Sequence, residues 1–349
     1  MVSATDLVRR PNGALLLILG LALLGVTIVV SFGIGPLSLP PATVVHAIGA
    51  QLCLIDPGNL TTRELSVVWD LRIPRALLGA MVGASLAMAG TGLQGLFGNP
   101  LADPGVVGVT NGAALGAVAA IVLGVTAFGS WTIPIAAFLG GVLATVAIYL
   151  LAGPQRGSGT AMLLLVGIAI GALCSAAIGF FTYIASDSEL QSLVFWQMGS
   201  LANANWLQLV SALPIFLIGS AALLTLATPL DMLALGERPA QHLGLDVKRS
   251  RLLLIASSAL LVAGAVAFAG AVGFVGLVVP HLVRLVIGPG HRWLLPLSAV
   301  VGALLIVIAD TAARSLDPPA EIPLGLFSAA LGAPFFLWLI LRRTPKQGR

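Results

Sequence analysis

Ionisable and nucleophilic side chains are scarce in this 349-residue chain, so the few present carry the first argument: 13 Asp and Glu, 17 Lys and Arg, 4 His and 2 Cys. A phosphate-binding loop needs Gly, four residues, Gly, Lys, then Ser or Thr. The two lysines, Lys248 after Val247 and Lys346 after Pro345, are followed by Arg249 and Gln347, and neither fits. A proton- or sodium-driven carrier needs acids near the bilayer midplane. Asp310 alone lies within an apolar segment, close to its end and one helical turn before Arg314, which reads as a helix-end ion pair. Cys53 falls in a loop and Cys174 in an apolar run, so both read as small apolar side chains and not as a disulfide or a metal cluster. These residues predict no catalytic site, no metal site and no cofactor held by the chain itself. A chain of this kind either conducts passively or is powered by another polypeptide.

The elements that position these residues follow from composition. Hydrophobic residues make up 58% of the chain and charged residues 9%, against roughly 25% charged in soluble domains; the mean hydropathy is +1.06. Lipid must be the solvent, and a span uses about 20 apolar residues. Ten candidate spans read as Gly13 to Ile34, Arg75 to Phe97, Gly105 to Thr126, Trp131 to Leu151, Ala161 to Ala185, Leu207 to Ala227, Leu252 to Gly270, Phe274 to Gly288, Leu294 to Ala312 and Pro323 to Leu341. The fold class is therefore an all-α polytopic membrane protein, a single ten-helix transmembrane domain over residues 1–349. The first segment reads as a retained span, because no small-residue cleavage pattern closes it. The 41 glycines, well above the roughly 7% usual, predict closely approaching helices.

An even number of spans puts both termini on one side, and Lys and Arg choose the cytoplasm. Inside fall Arg9, Arg10, Arg156, Arg238, Lys248, Arg249, Arg251, Arg284, Arg292, Arg342, Arg343, Lys346 and Arg349; outside fall Arg63, Arg72, Arg75 and Arg314. A net charge of +4 scattered in this way excludes a nucleic-acid surface. Ala87 to Gly90 leading to Gly95, Leu96 and Pro100 is echoed by Ala267 to Gly270 leading to Gly276, Leu277 and Pro280. The copies fall at opposite membrane faces, as in an inverted repeat. The longest internal loop, Asp231 to Ser250, is patterned like a short helix pair, with Leu233, Leu235, Ala240, Leu243 and Leu245 apolar and Glu237, Arg238, His242 and Lys248 polar. Such a surface suits the groove of a soluble partner or the headgroup layer.

These residues resemble the FecCD family, the membrane permeases of bacterial ATP-driven importers for iron chelates, haem and cobalamin. The resemblance runs from about Arg72 to the last span: Arg72-Ile-Pro-Arg75, Gly98-Asn-Pro-Leu-Ala-Asp-Pro104, Asn111-Gly-Ala-Ala114, Trp196-Gln-Met-Gly-Ser-Leu201, Leu235-Gly-Glu237, Gly273 to His281, Arg284, His291-Arg292, Ala309-Asp310, Arg314, Glu321 to Gly325 and Gly332 to Phe335. Gly98 and Val272 are mild departures from the family pattern. The resemblance implies a cobalamin-permease-like bundle in a bacterial inner membrane. It would dimerise, pair with two cytoplasmic ATPase subunits that hold ATP and Mg, and receive cargo from a periplasmic binding protein. It assigns ATPase coupling to Leu235, Gly236, Glu237, Ala240, Leu243 and Gly244, docking of the binding protein to Arg72, Arg75 and Arg314, and the cytoplasmic gate to Asn99, Leu101, Thr160 and Ala161.

Cargo is less sharply written. Leu93 to Phe97 and Ala320 to Pro323 are most similar to the haem-import branch, with ferric siderophores and cobalamin as alternatives within the family and an ion-coupled carrier as the alternative from another class. His46, Trp196 and Met198 are the candidate entrance residues, although His46 reads first as a surface histidine on an interfacial helix.

Overall fold

An apolar segment in lipid finds no water for its amides, so it satisfies them internally by coiling into a helix. The computed structural model describes residues 12–343 apart from 57, 104, 106–107, 154–158 and 319. Arg9, Arg10, Arg156, Lys346, Arg349 and Pro104 lie outside the described residues, which contain helices and loops and no strand. In chain order the helices are α1 (Gly13–Gly33), α2 (Pro41–Gln51), α3 (Thr62–Ser66), α4 (Ile73–Phe97), α5 (Val109–Val122), α6 (Thr132–Ala152), α7 (Gly159–Ile184), α8 (Asp187–Met198), α9 (Trp206–Thr225), α10 (Ala227–Leu233), α11 (Glu237–His242), α12 (Val247–Ala269), α13 (Val275–Ile287), α14 (His291–Ala313) and α15 (Leu324–Arg343). Seven helical segments among the described residues are long and apolar enough to cross a membrane, and α5, α13 and the first part of α15 are shorter apolar helices. Together they fall on the ten segments expected.

Two helix starts shift and one helix is added relative to the sequence reading, each for a local reason. The second segment becomes helical at Thr62, because Thr61 and Glu64 form a reciprocal capping box; a π-helical turn over Val67–Arg72 joins α3 to α4. The third begins at Val109, after Gly108 takes a left-handed conformation (φ 76°). An unexpected helix, α8, follows the fifth segment, again started by a capping box, Ser186 with Glu189.

The bundle is organised around α4, α12 and α14, whose apolar windows are 78%, 72% and 61% buried, against 11% for α1 and 22% for α7. Helices α4 and α14 run antiparallel with backbones almost touching. A methyl group on Gly83 would lie 2.2 Å from the Gly302 carbonyl oxygen, and one on Gly302 would lie 2.3 Å from that of Gly83. Helices α5 and α6 repeat the arrangement with Gly112 and Gly140. Such close backbone approach replaces the hydrophobic drive that lipid removes. The two halves of the sequence echo also meet, since a Cβ on Gly90 would fall 1.9 Å from the Gly276 carbonyl oxygen.

Candidate functional site

The sequence-predicted residues separate to the two ends of the α4–α14 pair. At one end Arg75, in the first turn of α4, holds two acids. Its Nε and Nη2 donate to the Asp310 carboxylate at 2.9–3.0 Å, and its Nη1 and Nη2 donate to Glu321 at 2.8 and 2.9 Å. Asp310 is therefore held mainly by Arg75 across the bundle, with Arg314 more distant at 3.9 Å. Arg72 donates to the carbonyls of Phe32 (2.6 Å) and Leu37, and Arg314 donates to that of Ser31 (2.6 Å). The Ser31 and Phe32 oxygens belong to the last turn of α1, where carbonyls lack helical partners and the dipole favours cations.

Arg72 and Arg314, expected at the docking face, are each 4% exposed, because the end of α1 needs their donors. Arg75 is only 11% exposed at its side chain and already carries two carboxylates.

Beside Glu321 opens a crevice of about 850 Å³, lined on its apolar side by Trp131, Phe195, Trp196 and Phe268 and on its polar side by Ser192, Ser200, Asn203, Asn205 and Gln208. Trp131 meets the Phe268 ring edge to face, 6.2 Å between centroids. The Trp196–Leu201 motif forms the crevice edge because its backbone is stitched to its neighbours: Ser200 N donates to Ala269 O and Leu324 N donates to Gly199 O, both at 2.9 Å. Gly325 allows that approach, since a Cβ there would meet the Met198 carbonyl oxygen at 2.3 Å. Trp196 thus lines the crevice, with Met198 in the stitched edge. His46 is elsewhere, on α2, with Nε2 2.8 Å from the Asp56 carbonyl oxygen; that nitrogen is the donor, which leaves Nδ1 as the acceptor of the neutral ring.

At the opposite end α4 stops at Gly98, whose φ of 58° ends the helix. Asn99 and Leu101 form an exposed turn in which Asn99 Oδ1 accepts from the Leu101 N–H at 3.0 Å. Thr160 and Ala161 are the second and third residues of α7, and Ala161 is exposed. Nearby Asp103 accepts from the Gly105 N–H at 2.7 Å and lines a cavity of about 480 Å³ with Thr110, Asn111, Ser175 and Phe274. Burial pushes its carboxyl above the usual range, partly opposed by the Gly105 hydrogen bond.

The loop between α9 and α12 folds as the short pair α10 and α11. Ala240 is fully buried, whereas Leu235 and Leu243, expected on the same apolar face, are 64% and 58% exposed. Glu237 pairs with Arg251 of α12. Arg238, Lys248, Arg249 and Arg292 are exposed, as are Glu237 and Asp246, so uncovered leucines sit in a charged surround with cations in excess. Sequence reasoning missed Asp231 of α10, which binds His291, and Gln94 of α4, which binds Arg284. It also missed the crevice amides. No local pattern flags a pair 60 or 190 residues apart.

A sequence profile of the FecCD transport family matches residues 23–342. The chain is 43% identical over 284 residues to the hemin transport system permease protein HmuU of Yersinia pestis, covering 80% of this chain and 85% of that one. It is 42% identical over 310 residues to the cobalamin import system permease protein BtuC of Halobacterium salinarum, covering 88% and 81%. Among solved structures, an ABC transporter of proposed metal-chelate type in an inward-facing conformation superposes with a TM-score of 0.83 at 36% identity, covering 94% of this chain and 99% of that one.

Proposed function

The chain belongs to the FecCD transport family and is a membrane permease of the ABC-importer class; on that premise we propose that it carries haem or another iron chelate into the cytoplasm by alternating access, across a bacterial inner membrane. Membership implies a dimer with ATPase and binding-protein partners. In our reading these are a second copy of this chain, two cytoplasmic ATPases that hold ATP and Mg, and a periplasmic protein that delivers cargo.

One observation carries the reading. Helix α11 leaves Leu235 and Leu243 uncovered in a surround with cations in excess, which suits an acid-rimmed apolar groove on a soluble motor. The residues assigned to coupling and to the gate share that end of the bundle, and the aromatic crevice lies at the other. This placement supports cytoplasmic termini and a gate at Asn99 and Leu101 with Thr160 and Ala161. For docking, the burial of Arg72 and Arg314 leaves the Arg75–Glu321 rim as the polar surface nearest the crevice.

A second cargo, cobalamin, is favoured by the crevice lining. Apart from Glu321, which pairs with Arg75, the lining groups are aliphatic, aromatic, amide and hydroxyl. Carboxylates on a haem edge gain no cation there, whereas an amide-bearing corrin finds matching donors and acceptors.

The test is reconstitution with the cognate ATPase and binding protein in liposomes. ATP-dependent accumulation of haem, a ferric siderophore or cobalamin is expected, with the stimulated member of that panel naming the cargo. Uphill uptake by the permease alone, or uptake that follows a proton gradient and ignores ATP, would overturn the proposal.

A further inference from the structure

Asp231 and His291 join the α10 segment to the last turn of α4. Asp231 Oδ1 accepts twice from His291, at 2.9 Å from its backbone N–H and at 2.7 Å from Nδ1. Because a carboxylate only accepts, Nδ1 carries the proton of this bond. His291 is the first residue of α14 and is 5% exposed. Its other nitrogen, Nε2, is buried without a hydrogen-bond partner and is turned toward α4. A Cβ placed on Gly95 would stand 2.7 Å from Nε2 and 2.7 Å from Leu230 Cδ2 of α10. The imidazole therefore fills the space between α10 and α4, where glycine alone admits it.

The same turn of α4 is gripped from its other side. Gln94 is 2% exposed. Its Nε2 donates to the carbonyls of Gly276 and Leu277 in α13 at 3.2 and 3.3 Å, and its Oε1 accepts from Arg284 Nη1 at 3.1 Å. Three residues beyond Gly95 the helix ends at Gly98 and becomes the Asn99 turn. Nothing soft intervenes between α10 and that turn: carboxylate, imidazole and helix backbone are in direct contact.

We propose that Asp231 and His291 are the positioning residues that convert displacement of the ATPase-facing α10–α11 segment into displacement of the gate turn at Asn99. The inference rests on the permease reading above, which supplies the motor on one side and the gate on the other. A pair serving only to hold the fold would have no need of an imidazole wedged with an unpartnered nitrogen against α4.

The test uses the full complex, permease with its ATPase in liposomes, measuring ATP hydrolysis and cargo uptake side by side. Asp231→Ala and His291→Phe should each lower uptake per ATP by roughly tenfold, inside the span of measured site-to-site couplings. Both together should be no worse than the more severe single change, because either alone breaks the link. His291→Asn places an amide N–H near the Nδ1 position and should retain most coupling, whereas His291→Gln places it near Nε2 and should not. A merely structural role would not separate Asn from Gln once both co-purify with the ATPase. Asp231 is 44% exposed at its side chain, so its alanine variant is expected to assemble and decides the matter if His291→Phe does not. Uptake per ATP at the wild-type value in Asp231→Ala overturns the proposal and leaves the permease reading intact. Failure of ATP to drive the wild-type complex overturns the reading itself.

Discussion

Arg75→Met tests whether the ionic cluster at the α1 end of α4 is held by one residue. The substitution keeps an unbranched apolar stem and removes both carboxylate partnerships. Asp310, 5% exposed at its side chain, keeps only Arg314 at 3.9 Å, while Glu321, 33% exposed, can turn to solvent. Removing one member of a buried pair costs about 3–5 kcal/mol. The residual Arg314 contact and the partial exposure of Glu321 argue for the lower end, about 3 kcal/mol. Glu321→Gln should cost about 1 kcal/mol or less, because solvent screens that arm. A double-mutant cycle between Arg75→Met and Asp310→Asn should return about 2 kcal/mol of coupling, as expected for residues in direct contact. Reversible unfolding in mixed micelles, with binding protein and ATPase absent, reads these values. Equal costs for Arg75→Met and Glu321→Gln, or a cycle that sums to zero, would refute the assignment of Arg75 as the keystone.

Four further outcomes are expected. Gly83→Ala drives a methyl into the Gly302 carbonyl and should destabilise by about 1–3 kcal/mol; Gly25→Ala in α1, with nothing within 4 Å, should be neutral, and equal melting temperatures would remove the glycine seam from the account. Arg72→Gln strips the donors that close the end of α1 and should lower thermal stability without any binding protein present, whereas unchanged stability combined with lost docking would place Arg72 in the docking role. At the exposed α10–α11 surface, Leu235→Asp should abolish binding-protein stimulation of ATP hydrolysis without altering stability, and Gly236→Pro should abolish it by distorting the loop, because φ there is +104° and proline is fixed near −65°; normal transport by both places the contact elsewhere. Asp103→Asn keeps the acceptor for Gly105 and removes a charge that burial disfavours. Its stabilising effect should be absent below about pH 4, where both folded and unfolded carboxyls are protonated, and grow as pH rises toward the elevated folded value; a gain independent of pH would contradict that cause.

The spans, the glycine-rich contacts and the short helix pair α10–α11 were legible because each is written locally, in runs, spacings and caps. The capping boxes at Thr61 and Ser186 were equally legible and mark the starts of α3 and α8. The arginines gather at one end of the bundle, but their burial was not legible. Their partners lie 40, 235 and 283 residues away, and a helix end that needs its carbonyls satisfied leaves no mark on a distant sequence. The crevice has the same origin: Trp131, Trp196, Asn203 and Phe268 come from four separate segments.

The reciprocal contact of Gly83 with Gly302 has a mechanical meaning. Backbones that touch cannot slide or bow independently, so α4 and α14 behave as a strut across the membrane, pinned by Arg75 and Asp310 at one tip and by His291 at the other. A strut transmits in both directions with equal strength. Thermodynamic linkage then requires that the factor by which nucleotide binding changes the affinity for a delivery protein is the factor by which that protein changes the affinity for nucleotide.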